Sequence, residues 1–281
     1  MIDIHTHILP AIDDGSPDLS TSCQIIITAA TEGVTKIIAT PHYWPGVYQP
    51  HWREVLQKTE QLNNELSKKG NSITILPGME VHLDIELPRL LEKGIIGTLN
   101  NTGKYLLVEL PAQSFPHYSE MVLCKLLSLG ITPILAHPER NSEVINNPEI
   151  LYSLLEKGVL IQLTAASITG AFGRRAMQTS TLMLEYGWVH FIASDCHDID
   201  KRPYVFLNGI EKAETILSKN EVELITRENP EKLIAGEDIL TRSIKPIEKN
   251  VIKNRNKRGK KLSKQNFILR TWNLLTNKNR R

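Results

Sequence analysis

Three cysteines in 281 residues (Cys23, Cys124 and Cys196) are too few and too scattered for a disulfide framework. No stretch approaches the roughly 18 unbroken apolar residues of a membrane-spanning helix. No basic segment followed by an apolar one stands at the start, so no secretory signal is expected. Aromatic residues make up only 6%, and no internal repeat is visible. These shortages point to a cytoplasmic protein, whose 41% hydrophobic content is enough for one large core or two small ones.

Charge of one sign is also scarce, but locally. Residues 245–281 carry 13 of the 33 Lys and Arg and a single acid, Glu248, which leaves 20 basic and 30 acidic side chains in residues 1–244. An acidic body therefore precedes a strongly basic tail. The boundary is expected near Lys245, with residues 1–245 as one domain and 246–281 as an extension.

What is present begins at once, in MIDIHTHILPAIDDG. Ile2 to His5 alternate apolar and polar, as a strand does, and residues two apart on a strand face one way. His5 and His7 then converge as a pair of imidazoles, a ready start for a metal site or a chance pairing at a strand end. The rest of the chain decides between these. Strands are expected at 36–40 (KIIAT), 72–76 (SITIL), 105–110 (YLLVEL), 131–136 (ITPILA), 159–163 (VLIQL) and 189–194 (VHFIAS), with helical stretches at 19–32, 52–69, 118–129, 148–157 and 174–186. Regular β–α alternation implies parallel strands, and seven strands closing on themselves give a distorted (β/α)7 TIM-like barrel of the α/β class. In such a barrel the site lies at the C-terminal ends of the strands.

Those ends carry ligand types. After His5 and His7 come His42, Glu80, Glu109, His137 followed by Arg140, and finally Asp195 and His197; the sixth strand offers only Gln162. Six of seven strand ends bearing His, Asp or Glu in register make a polynuclear metal site. Mixed imidazole and carboxylate without thiolate suits Zn, Mn or Fe. A carboxylate such as Glu80 can bridge two ions roughly 3.5–4 Å apart.

The motifs HTH at 5–7, TPH ending at 42, GME ending at 80, AHPER at 136–140 and SDCH at 194–197 together resemble the PHP (polymerase and histidinol phosphatase) superfamily. MIDIHTHILPAIDDG and AHPER resemble its bacterial capsule and exopolysaccharide phosphotyrosine phosphatases, from Met1 to about Ala235. The resemblance implies the PHP barrel and a trinuclear site. His5, His7, Glu80 and Asp195 would hold one ion, Glu80 would bridge to a second held by Glu109 and His137, and Asp14, His42 and His197 would hold a third. Asp13 is expected to cap its loop, although it and Asp14 could be exchanged. The cofactors implied are two to three divalent ions, manganese being usual in the family. Arg140 and Arg202 match phosphate-contacting arginines, yet the run Asp200-Lys201-Arg202-Pro203-Tyr204 lacks the Gly before and the second Pro after that relatives often have. Arg140 could instead pair with Glu139 or Glu143, and Arg202 with Asp198 or Asp200.

The activity implied is phosphotyrosine hydrolysis by a metal-activated hydroxide, without a phosphoenzyme. A phenolate leaves readily because its conjugate acid has a pKa of about 10. The implied partner is a membrane tyrosine kinase that regulates capsule or exopolysaccharide synthesis. The rivals are a histidinol-phosphate-type phosphatase or PHP phosphodiesterase, and a non-catalytic metal-stabilised module that binds nucleic acid; no nucleic-acid partner is expected. Cys196 and Arg202 have the C-x5-R spacing of cysteine phosphatases, but the loop between them has no glycine and holds Asp198 and Asp200, which would repel a phosphate. His51, His117 and His190 read as structural or solvent-facing, and His82 as structural or pocket-lining. Tyr43, Trp44, Tyr48 and Trp52 either stack on a phenyl ring or pack over the barrel mouth. In the tail, Phe267, Ile268, Trp272 and Leu275 recur at helical spacing, so 265–276 is expected to form a short amphipathic helix able to meet an anionic membrane surface.

Overall fold

The computed structural model describes residues 1–247, of which Met1–Lys245 form one compact unit. The expected tail helix lies outside the described residues. Nine parallel strand segments fill seven barrel positions: β1 (Ile2–Thr6), β2 (Lys36–Ala39), β3 (His42–Tyr43), β4 (Thr74–Pro77), β5 (Glu80–His82), β6 (Tyr105–Glu109), β7 (Thr132–Ala136), β8 (Leu160–Thr164) and β9 (Phe191–Ala193). The expected strands at 36–40 and 72–76 correspond to β2 and β4, and each is followed by a short unexpected segment, β3 and β5, that continues the second and third barrel positions. Pro41, which has no N–H to donate, interrupts the second between β2 and β3. Gly78 interrupts the third between β4 and β5, where a Cβ would stand 2.7 Å from the Ile38 side chain and 2.8 Å from that of Leu99. The lower pieces pair as β1-β2-β4 and the upper ones as β3-β5-β6-β7-β8-β9, so the barrel is distorted. Closure runs through a parallel bridge between Thr6 and Cys196, with His7 N donating to Cys196 O at 2.9 Å and Asp195 N to His5 O at 2.9 Å.

The helices cover the outside because their apolar residues recur at three to four positions. In Leu19–Thr31 the buried set is Ser22, Cys23, Ile25, Ile26 and Ala29, and Asp18 caps the start by accepting from Thr21 N. In Trp52–Lys68 it is Trp52, Val55, Thr59, Leu62 and Leu66, with His51 as the cap. The Trp52 ring fills the space above Gly97, where an added Cβ would meet it at 2.1 Å. At the lower end of the barrel Ile2, Ile4, Ile38, Tyr105, Leu107, Ile134, Leu160 and Phe191 form the core, joined by Leu233 of the helix Asn229–Ala235. The register of β1 against β2 slips between Asp3 and Thr6, so Ile4 can enter this core while its neighbour His5 reaches the metal-ligand cluster. Among the described residues no helix is long and apolar enough to cross a membrane.

Candidate metal centre

The β1–β9 closure sets the HTH and SDCH segments side by side, and the other strand ends complete the ring. His5 Nε2 lies 3.2 Å from His7 Nε2, and each is 3.2 Å from Glu80 Oε2. Asp195 Oδ1 stands 3.4 Å from His5 Nε2 and 3.6 Å from His7 Nε2. His137 Nε2 approaches Glu80 Oε1 at 2.8 Å and Glu109 Oε1 at 3.8 Å. His42 faces two ways, its Nδ1 lying 3.1 Å from Glu80 Oε2 and its Nε2 3.5 Å from Asp14 Oδ1. His197 Nε2 is 3.8 Å from the same Asp14 oxygen. All nine expected ligands therefore meet at one end of the barrel. Their closest groupings are His7-Asp14-His42-His197, His5-His7-Glu80, His5-His137-Asp195 and His42-Glu80-Glu109. In this partition His42 joins Glu80 and Glu109, where the resemblance implied His137.

Backbone geometry aims these side chains. His137 (φ 32°) and Asp195 (φ 53°) occupy the left-handed region, which side chains other than Gly adopt at a cost and which recurs at functional sites. Gly15 lies against His7, since an added Cβ would stand 2.2 Å from His7 O. That close approach lets the 13–15 loop fold over the imidazole.

The donor set fits divalent cations. Glu80 Oε2, Asp195 Oδ1, His42 Nδ1 and His197 Nε2 are buried without a hydrogen-bond partner, a costly condition unless another electrophile serves them. Five carboxylates (Asp13, Asp14, Glu80, Glu109 and Asp195) face two guanidinium groups, so with neutral imidazoles the cluster is short of positive charge. Burial opposes ionisation of Glu80, but the imidazoles of His5, His42 and His137 outweigh it and hold the carboxyl well below its usual range. Burial likewise disfavours the His7 imidazolium, yet Asp13 and Glu80 raise its pKa to about 10. His197 moves the other way, lowered by burial and by His7.

The two arginines meet one atom. Arg140 Nη1 donates to Asp195 Oδ2 at 2.5 Å and Arg202 Nη2 donates to it at 2.7 Å. Neither takes its simplest alternative, since Glu139 accepts from Thr164 N, Glu143 from Phe115 N, and Asp198 from the backbone of residues 200–202. Burial would raise the Asp195 pKa, but these guanidinium groups hold it well below the carboxylate range. Arg202 thus points away from a thiol role for Cys196, which is buried and raised in pKa by burial and the carboxylates of Asp3, Asp195 and Asp198. A thiol so held is no nucleophile.

Residues 1–235 match the family described as capsular polysaccharide synthesis, CpsB/CapC. The chain belongs to the CpsB/CapC family. It is similar to the tyrosine-protein phosphatase YwqE of Bacillus subtilis, 37% identical over 252 residues that cover 89% of this chain and 97% of that protein. It is also similar to the putative tyrosine-protein phosphatase CapC of Staphylococcus aureus, at 35% over 73% of this chain and 80% of CapC. A solved structure from work on YwqE and on CpsB of Streptococcus pneumoniae, described as unique metal-dependent tyrosine phosphatases, superposes with a TM-score of 0.85. Its identity is 36%, and the match spans 89% of this chain and 100% of that one. Recognition of the capsule-type phosphatases from the short motifs agrees with CpsB/CapC membership.

Two residues of this CpsB/CapC chain do more than the sequence disclosed. His7 Nδ1 donates to Asp13 Oδ2 at 2.7 Å, and the same carboxylate accepts from His42 N at 2.9 Å and Gly15 N at 3.0 Å. Asp13 therefore caps its loop as expected and also orients the His7 imidazole, while Asp14, 45% exposed, belongs to the group that could hold a metal ion with His7, His42 and His197. His5 Nδ1 donates to Gln162 Oε1 at 2.9 Å. With both Nδ1 protons so engaged, the neutral rings would present both Nε2 lone pairs to the centre, the tautomer that metal binding requires. The one non-ionisable strand end was thus the partner of the first ligand. His82 lines the site, 3.6 Å from Glu109, while His190 is buried and His117 exposed.

Proposed function

We propose that the chain is a metal-dependent tyrosine-protein phosphatase of the CpsB/YwqE type, linked to capsule synthesis, that removes phosphate from phosphotyrosine in a protein. The observation that carries this reading is the convergence of nine His, Asp and Glu side chains, seven of them buried, with two arginines at their edge. His5, His7, Asp14, His42, Glu80, Glu109, His137, Asp195 and His197 hold two to three divalent ions, manganese before zinc or iron. Such ions supply Lewis-acid polarisation of the phosphoryl group and bring the pKa of water down to about 7.

The chain's own residues do the rest. Asp13 and Gln162 keep the ligand imidazoles in the metal-binding tautomer. Arg140 and Arg202, already aimed at a carboxylate oxygen, bind non-bridging phosphoryl oxygens, for which a planar fork is suited. The leaving phenolate needs little help from an acid, and Cys196 takes no part. The protein substrate in this reading is a membrane tyrosine kinase that regulates polysaccharide export. The phosphatase domain is residues 1–245, and the basic residues beyond it meet the anionic inner face of the cell membrane from the cytoplasm; the charge split between body and tail supports this.

The test is turnover of a phosphotyrosine peptide, histidinol phosphate and single-stranded DNA, each before and after chelation and after return of Mn, Zn or Fe. Phosphotyrosine turnover that chelation abolishes and Mn restores is expected. Preferred turnover of either other substrate, or full activity in excess chelator, overturns the reading.

A further inference from the structure

Among the described residues, Trp44, Val47, Ile85, Phe172 and Ile199 are large apolar side chains left exposed; four sit on loops that follow strands at the metal-centre end, and Phe172 in the turn between the helices Ala165–Thr169 and Arg174–Glu185 that follow β8. A surface that crowds apolar side chains around a highly charged pocket marks a binding face. Three aromatic rings give it definition. Residues 44–48 form a tight turn in which Trp44 N donates to Tyr48 O at 2.6 Å and Tyr48 N to Trp44 O at 2.9 Å. The Trp44 ring stacks on His82 (centroids 4.7 Å apart, 13° between planes), and Tyr48 lies nearly parallel to His42 at 6.2 Å and 13°. On the far side of the mouth, after β8, the Phe172 ring lies 4.6 Å from the Arg140 guanidinium carbon.

Each wall therefore ties a ring to the reaction centre. His82 adjoins Glu109, His42 is in the ligand cluster, and Arg140 reaches Asp195. Trp44 is 39% exposed and Phe172 38%, so each keeps surface free for a further partner. The buried Tyr43 and Trp52, by contrast, are consumed in packing. Inorganic phosphate or an alkyl ester has nothing with which to use these surfaces, whereas a phenyl ester held by its phosphate at Arg140 carries an aromatic ring into the space between the walls.

We infer that Trp44, Tyr48 and Phe172 form a subsite for the phenyl ring of phosphotyrosine and set a preference for aryl over alkyl phosphates. The inference rests on the phosphatase reading above and adds to it the residues that select the ester. Phe172 also stacks on Arg140, so it positions that guanidinium while it contacts the ring.

The test is calorimetric binding of phenylphosphonate and methylphosphonate to the full-length, Mn-loaded protein, alongside phosphotyrosine peptide turnover and metal content. Wild type is expected to favour phenylphosphonate by roughly tenfold, the scale of one or two aromatic contacts. Trp44→Ala with Phe172→Ala should bring that ratio near one while metal content holds, with both phosphonates weakened to the extent that Arg140 loses its support. Trp44→Phe should retain most of the preference. A ratio near one in wild type, or a ratio unchanged in the double variant, overturns the subsite while turnover keeps the phosphatase reading intact. Absence of phosphotyrosine turnover by the metal-loaded wild type overturns that reading, and the subsite falls with it.

Discussion

Two steps along the same strand faces separate two kinds of interior. Leu107 stands two residues before Glu109 on β6, Leu160 two before Gln162 on β8, and Ala193 two before Asp195 past β9. Below, Ile4, Leu107, Ile134, Leu160, Phe191 and Leu233 pack as an apolar layer. Above, His5, His7, Glu80, His137 and Asp195 are as dry, and all are ionisable. Burying the lower layer stabilises the fold by about 25 cal/mol per Å² of apolar surface, whereas burying uncompensated charge above opposes it. Asp3 and Asp195 show the same contrast in one residue type. Asp3 accepts from His5 N, Ser194 N and the Tyr204 hydroxyl, and burial raises its pKa. Asp195 keeps one oxygen unpartnered and stays ionised. Stability and chemistry are thus placed at opposite ends of the same strands.

Emptying the upper layer should give the largest effect. Glu80→Ala, His5→Ala or Asp195→Ala should each lower phosphotyrosine turnover by at least roughly 100-fold, with metal content falling as measured by atomic absorption. Thermal stability should fall far less than activity, and loss of both in proportion would erase the contrast. Arg140→Ala should lower kcat by roughly 10²–10³, the cost of one preorganised donor, with metal content unchanged. Arg140→Lys should recover little, because a point charge does not reproduce the planar fork.

Leu107→Ala should do the reverse, costing about 3 kcal/mol in urea denaturation while kcat of the folded protein stays near normal. Gln162→Leu sits at the junction of the two layers. It should weaken metal affinity by roughly 10–100-fold by releasing the His5 tautomer, which metal titration reads directly. An effect seen only as pH changes belongs to His190, whose Nδ1 accepts from Ile161 N and whose pKa burial lowers to about 4. Its folded-state pKa lies below the unfolded value of 6.5, so its contribution is present above pH 6.5 and is lost as pH falls toward 4. Comparison with His190→Asn should show up to about 3 kcal/mol of this pH dependence.

The upper layer was the more legible of the two in sequence. Imidazoles and carboxylates at strand ends drew attention to eight of the nine clustered residues, Asp14 came only with the family resemblance, and β–α alternation gave the barrel. Helix limits at 19–31, 52–68 and 174–185 fell within a residue of expectation. The short strands β3 and β5 beyond Pro41 and Gly78 were not expected, because two or three residues are too few to show a strand's alternation. Short helices such as Leu87–Glu92 and Ala165–Thr169 hold too few turns to show a period. The pairing of Gln162 with His5 links residues 157 positions apart and arises only once the ring closes. Trp52 belongs to the core instead of the mouth, a distinction set by the space above Gly97.

The left-handed backbone at His137 carries a consequence for how such a protein could drift. Glycine would occupy φ 32° with about 1 kcal/mol less strain than an imidazole-bearing residue. Substitution there would remove the imidazole that stands 2.8 Å from Glu80. Histidine at 137 is thus held for its imidazole against the preference of its own backbone.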